Sequence, residues 1–199
     1  FIGGGHPSPS EIRDGKYPPL LGFIQSKDSA ESWDILAMKG ETDLHALAVS
    51  DGIFYAVDAT KGEFLASTDG RHWETRSRLM ASSIAVEADG KILAATTKGL
   101  QQSTDQGRTW SPASTGSAFV LVAAQQDVGS WAIDSNGAVY RSGPTGSWIG
   151  VGRLQGRPEA FSVTNDQLFA ATDAGIFQSS DGQAWTELYK TTEGADQSR

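Results

Sequence analysis

The chain has 199 residues, 23 of them glycine, with 9% aromatic and 38% hydrophobic residues. That balance suits many short strands joined by tight turns better than long amphipathic helices. A net charge of -8 argues against a broad phosphate-backbone contact, which needs clustered Lys and Arg. With no cysteine, disulfides and cysteinyl zinc sites are excluded. No apolar run approaches the roughly 18 residues that span a membrane, so no membrane-spanning segment is expected.

In chain order, Phe1-Ile2-Gly3-Gly4 aligns with later second-strand segments such as Phe54-Tyr55-Ala56-Val57 and Phe169-Ala170-Ala171-Thr172. The chain is therefore expected to open in the middle of a repeat, with the missing strands coming from an upstream segment or another chain. Next comes a proline-stiffened insertion, His6-Pro7-Ser8-Pro9-Ser10 through Tyr17-Pro18-Pro19, about three times the length of its counterparts and placed as a lid. The second repeat reads DLHALAVS (43–50), GIFYAVDA (52–59) and GEFLASTD (62–69), then a tryptophan and ETRSRL. Its apolar runs are divided by Asp51-Gly52, Lys61-Gly62 and Asp69-Gly70, which are tight-turn signals. The same grammar recurs over 81–114, 119–152 and 159–189.

Five tryptophans mark the period: Trp33, Trp73, Trp110, Trp148 and Trp185, spaced by 40, 37, 38 and 37 residues. Four strands in a repeat of this length is the arithmetic of a β-propeller blade, and Asp-Gly hairpin turns favour antiparallel neighbours over the parallel coils of a β-solenoid. The fold class is all-β: a propeller of four-stranded antiparallel blades, about five of them in this chain. A single domain over 1–190 is expected, followed by a tail over 191–199.

Each tryptophan closes a short phrase: SKDSAESW, STDGRHW, STDQGRTW, SGPTGSW and SSDGQAW. These phrases resemble Asp-box, or BNR, repeats, which occur in sialidases, sortilin-type receptors and many secreted bacterial propellers. The resemblance implies that Ser26, Asp28, Ser67, Asp69, Ser103, Asp105, Gly107, Ser142, Ser179 and Asp181 hold the hairpin between third and fourth strands, with the tryptophans wedged between blades. A short carboxylate accepts from turn N–H groups and a large ring fills the space between sheets, so these aspartates are read as structural. SGPTGSW has Pro144 where the others have Asp, so its turn must be satisfied differently. Over nearly the whole chain, GGGHPSP, LLGFIQSKDSAESW, DLHALAVS and GRPEAFSV are similar to a group of bacterial extracytoplasmic Asp-box propellers labelled glycosylhydrolase or exo-sialidase. An extracytoplasmic location is implied by that likeness.

A sialidase grips the sugar carboxylate with three arginines, because guanidinium binds carboxylate in a bidentate fashion. Here Arg71 and Arg108 lie inside the boxes, Arg141 lies just before one, and no Phe-Arg-Ile-Pro-like segment is present. The sialidase reading is disfavoured.

In a meander with the boxes between strands three and four, the opposite face collects the strand 2–3 loops and the links between blades. That face is expected to carry His6, Asp58 and Asp134 from second-strand ends, and Asp43, His45, Arg157 and Glu159 from first-strand starts. His45 aligns with Glu159, so both are expected to look into the channel mouth. His6 and His45 with Asp43 or Glu159 offer imidazole and carboxylate donors for a divalent metal as a possible cofactor. Against this stands a reading of His45 as a hydrogen-bonded channel residue and His6 as a turn cap; His72, inside a box, is a surface residue. Two functions follow: a non-catalytic binding or assembly module for a protein, glycan or metal, or a glycoside hydrolase drawing acid and base from Asp43, Asp58, Asp134 and Glu159.

Overall fold

The computed structural model describes residues 1–113, 118–125, 129–143, 146–164 and 166–191. Every sheet is an antiparallel meander in sequence order. Blade 1 has three strands, β1 (Ile2–Gly3), β2 (Phe23–Gln25) and β3 (Asp34–Ala37). Blade 2 has four: β4 (Leu44–Ser50), β5 (Ile53–Asp58), β6 (Glu63–Ser67) and β7 (Glu74–Arg78). Blade 3 comprises β8 (Ser83–Val86), β9 (Ile92–Thr96), β10 (Gly99–Ser103) and β11 (Ser111–Pro112). Blade 4 comprises β12 (Phe119–Gln125), β13 (Gly129–Asp134), β14 (Ala138–Ser142) and β15 (Trp148–Arg153). Blade 5 comprises β16 (Pro158–Val163), β17 (Leu168–Thr172), β18 (Gly175–Ser179) and β19 (Thr186–Lys190). The chain is thus an all-β propeller array of five blades, and the first lacks the strand that leads the other four. Residues 192–199, most of the expected tail, lie outside the described residues.

The turn signals act as their chemistry requires. Asp51 and Gly52 both take positive φ, 50° and 75°, between the paired residues Ser50 and Ile53, which is the two-residue hairpin whose twist matches its strands. The long insertion contains a short helix, α1 (Pro9–Arg13), which the sequence reading did not anticipate. Ser8 caps it, Pro9 occupies its first turn, and Glu11 closes a capping box by accepting from the Ser8 N–H.

The blades are held together by apolar clusters at their seams. One joins blades 1 and 2 through Phe23, Leu44, Ala56 and Leu65. Tyr55, Val57, Phe64, Ile84 and Ile92 join blades 2 and 3, and Leu93, Leu100, Phe119 and Val122 join blades 3 and 4. Ile133, Val139, Leu154, Leu168 and Phe177 join blades 4 and 5. Each fully buried side chain of this size stabilises the fold by about 1.5–3 kcal/mol.

The Ser–Asp phrases form the hairpins between third and fourth strands. In blade 3 the Ser103 hydroxyl donates to Asp105 Oδ1 at 2.7 Å and accepts from the Gly107 N–H at 2.8 Å. Asp105 also accepts from the N–H groups of Arg108 and Thr109 and, at 2.6 Å, from the Thr109 hydroxyl. The Thr109 hydroxyl is the main reason its carboxyl is held down at about 2. Ser67–Asp69 and Ser179–Asp181 repeat the arrangement, and in Ser26–Asp28 the bond from Ser32 holds the carboxyl at about 2. Blade 4 solves the missing Asp with backbone: Gly143 N–H donates to Ser147 O at 2.7 Å, while the Ser142 hydroxyl accepts from Ser130 N–H. Pro144 itself lies outside the described residues.

Four of the five tryptophans are partly buried. Trp73 meets Phe23 edge-on at 5.0 Å, Trp110 meets Phe64 at 5.1 Å, and Trp148 lies 4.9 Å from Phe119. Trp185 packs into the cluster between blades 4 and 5. Trp33 departs from the wedge expectation: it is 41% exposed, because no described blade stands on its side of blade 1.

Candidate functional site

The meander fixes what each end of the blades displays. Ser–Asp hairpins occupy one end, so the loops between β5 and β6, between β13 and β14, and the links into β4, β12 and β16 occupy the other. Three of those inner strands begin with a β-bulge. Pairing shifts between Leu44 and Ala46, between Phe119 and Leu121, and between Pro158 and Ala160, which leaves His45, Val120 and Glu159 as the extra residues. A bulge re-aims the unpaired side chain away from the ladder. His45 and Glu159 therefore hold equivalent positions in blades 2 and 5, and both are exposed.

The loop end of blades 1 and 2 brings three of the candidate residues together. Asp43, at the link into β4, receives His45 Nε2 on Oδ2 at 2.8 Å, and His6 Nε2 lies 3.4 Å from the same oxygen. Pro19, in the insertion, sets the state of the His6 ring: its carbonyl lies 2.8 Å from His6 Nδ1. A carbonyl only accepts, so Nδ1 carries the proton, and in the neutral ring Nε2 presents a lone pair toward Asp43. Both rings are half-exposed, while the Asp43 side chain is mostly covered. Asp43 Oδ1 is buried with no hydrogen-bond partner, as are Thr42 Oγ1 next to it and Asp58 Oδ2 on the paired strand end. Among the described residues, no group of three or more His, Cys, Asp or Glu side chains is placed so that it could hold a metal ion.

Asp58 lies beside this cluster, on the strand end paired with Leu44, while Asp134, Arg157 and Glu159 belong to blades 4 and 5. Asp58 is fully buried; its Oδ1 accepts from Thr60 N–H at 2.8 Å, and Lys61 Nζ is 4.0 Å from its Oδ2. Asp134 holds its own turn, accepting from the N–H groups of Asn136 and Ala138 and from the Tyr140 hydroxyl. Arg157 and Glu159 form a 3.0 Å ion pair in blade 5. Asp173, which sequence reasoning passed over, joins them by accepting from Arg157 N–H at 2.7 Å. His72 sits in its box as expected, 2.7 Å from Asp69 Oδ2 and largely exposed. Sequence reasoning also missed Pro19 and Thr42, neither of which carries a chemical signature. Among the described residues, no helix is long and apolar enough to cross a membrane.

No known family model matches the chain, and no curated protein matches its sequence. Solved structures do match the fold. YCF48 from Cyanidioschyzon merolae is 20% identical with a TM-score of 0.60, the match covering 76% of this chain and 58% of that one. A YCF48 bound to a D1 peptide is 17% identical with a TM-score of 0.56, covering 83% and 60% respectively. A gluconolactonase from Xanthomonas campestris is 13% identical with a TM-score of 0.67, covering 88% and 71%. The chain thus spans about three-fifths of the length of the two YCF48 structures. At these identities the likeness is one of fold.

Proposed function

We propose that the chain is a non-catalytic, extracytoplasmic binding or assembly module that takes its ligand on the loop face, anchored at His6, Asp43 and His45, with a divalent metal ion as the ligand. The observation that carries this reading is the approach of two imidazole Nε2 atoms, from separate segments, to one carboxylate oxygen. Donors about 2 Å from a metal ion lie about 2.8–3.4 Å from one another, and each Nε2 stands at such a distance from Asp43 Oδ2. Neither ring is locked by packing, so an ion entering between them draws the three donors around itself. The Pro19 carbonyl holding His6 Nδ1 is the outer-shell contact that orients a metal-binding histidine. A protein or glycan is the partner such a module presents to, and the peptide held by one structural neighbour supports the protein.

The hydrolase reading draws less support. Asp134 is saturated by its own turn and Glu159 is paired with Arg157, so neither stands free as acid or base. Calorimetric titration with Zn²⁺ tests the proposal: saturable one-site binding is expected, weakened at least about tenfold by His45→Ala, as for loss of a ligand group. Binding unchanged in that variant, or turnover on a glycoside panel abolished by Asp43→Asn, would overturn it.

A further inference from the structure

We infer that a cleft between blades 2 and 3 is a binding site for a small organic acid, a carboxylate carried on an apolar body. The cleft has a volume of about 400 Å³, within the range of small-ligand sites, and shares no residue with the cluster of His6, Asp43 and His45. It opens where the equivalent seam between blades 4 and 5 is filled.

The two seams are built on one plan. Where the fourth strand leaves the sheet, Leu79 N–H donates to Gly62 O at 3.0 Å, and Leu154 N–H donates to Gly137 O at 2.8 Å. In the blade that follows, a two-residue loop joins the second and third strands, between Thr96 and Gly99 in one case and between Thr172 and Gly175 in the other. The threonine hydroxyl accepts from the N–H of the second loop residue, Lys98 or Ala174, at 3.1 Å in both. On the third strand Gln101, paired with Ala94, stands where blade 5 has Phe177, paired with Ala170.

The side chains set on this plan differ. Between blades 4 and 5, Leu154 and Phe177 are 2% and 4% exposed and pack with Ala174 and Trp185 in one apolar cluster. Between blades 2 and 3 their counterparts, Leu79, Gln101, Lys98 and Trp110, line the cleft. Gln101 is the decisive exchange. The same third-strand position holds Leu65 at the seam of blades 1 and 2 and Tyr140 at that of blades 3 and 4, and each packs into its seam cluster. The Gln101 carboxamide instead makes one long hydrogen bond, from Nε2 to Leu100 O at 3.4 Å.

The charges on the cleft select its ligand. Arg153, at the seam of blades 4 and 5, donates to Asn136 O, whereas its counterpart Arg78 lines the cleft together with Lys98. Among the described residues neither Arg78 nor Lys98 is in an ion pair, although the chain has 24 acidic and only 16 basic residues. Among those residues no carboxylate lines the cleft: Glu63, the cross-strand partner of Arg78, accepts from the Thr75 hydroxyl at 3.2 Å. A guanidinium and an ammonium left without a counter-ion fit a carboxylate. Trp110 has its Nε1 engaged by the Ser77 hydroxyl at 2.9 Å, so what it offers is carbon, and Met80, 54% exposed, adds a pliable thioether wall. An acid with an apolar body uses both parts of the lining, and a bare anion uses one.

Methyl NMR tests this directly, because the chain has two methionines, Met38 and Met80, of which Met80 lines the cleft. Phenylacetate is expected to shift the Met80 methyl resonance saturably, with half-saturation on the order of 1 mM, and to leave that of Met38 in place. Acetate, which lacks the body, and phenylacetamide, which lacks the charge, should each bind at least about tenfold more weakly. Gln101→Phe should fill the cleft and abolish the shift while holding or raising Tm. Arg78→Gln combined with Lys98→Gln, both at exposed positions, should weaken binding about tenfold with Tm unchanged. A Met80 resonance unmoved by phenylacetate would overturn the inference, and so would an equal response to phenylacetamide, a shift that persists in Gln101→Phe, or full affinity in the double variant.

Discussion

The two ends of the blades use the same side chain for opposite purposes. At the hairpin end, Asp28, Asp69, Asp105 and Asp181 are each surrounded by turn N–H groups and hydroxyls from their own phrase. At the loop end of blades 1 and 2, Asp43 and Asp58 each keep a buried oxygen with no hydrogen-bond partner. A carboxylate whose lone pairs are satisfied locally is a fold element and has nothing left for a ligand. One left unsatisfied costs stability, and that cost is the usual mark of a site shaped for something else.

Substitutions should separate the two ends sharply. The largest difference is expected between turn glycines. Gly107 and Gly62 both take positive φ, but a Cβ at Gly107 meets the Phe64 ring and one at Gly62 meets only the flexible end of Met80. Gly107→Ala should cost about 3–4 kcal/mol and Gly62→Ala about 1–2 kcal/mol in chemical denaturation; equal costs would show that the hairpin glycine is no tighter than any other. Next comes the pair Asp105→Ala and Asp43→Ala. The first should lower Tm clearly because it strips four donors of their acceptor. The second should leave Tm unchanged or slightly raised while abolishing Zn²⁺ binding, and a matching drop in Tm would make Asp43 structural.

Acid sharpens the contrast further. Asp28 and Asp105 are held at about 2, below the ordinary carboxylate value near 4. A depressed folded pKa contributes stability that is fully present above the unfolded value and disappears as pH falls through the folded one. The Ser–Asp hairpins should therefore lose their contribution between about pH 4 and pH 2. A urea midpoint followed by circular dichroism should fall steeply across that window, and less steeply in Asp105→Asn; a midpoint flat from pH 4 to 2 would rule out the assignment. The smallest effect is expected at the exposed Arg157–Glu159 pair, where Glu159→Gln should change stability by less than about 0.5 kcal/mol.

Much of the scaffold could be read in the sequence because each of its rules is local. The tryptophan period, the Asp-Gly turns and the Ser–Asp phrases each need only a few neighbouring residues, and the strands follow from them. The equivalence of His45 and Glu159 was legible for the same reason, as a register position in a repeat. The site was legible only as a roster. Asp43, Asp58 and Asp134 look alike in sequence, and what separates them is which donors the folded loops leave within reach. For Asp134 these come from its own turn; for Asp43 the donor is His45, and His6, fixed by Pro19 from 13 residues away, faces the same oxygen. The helix over Pro9–Arg13 had a local signal, Ser-Pro-Ser-Glu, which is a capping box with proline at the first position. Trp33 shows the limit of reading by repeat: its phrase matches its siblings, and its environment depends on a neighbour that the phrase does not encode.

The bulges at the head of the inner strands separate what the loop end displays from what holds the sheets together. His45, Val120 and Glu159 stand outside the ladder, so each can be exchanged without moving a single backbone pairing. The loop end of the array is in this sense an alphabet of independent letters set into a fixed type-block. An imidazole, an isopropyl group and a carboxylate already occupy three of its positions, and a new surface needs only a new letter.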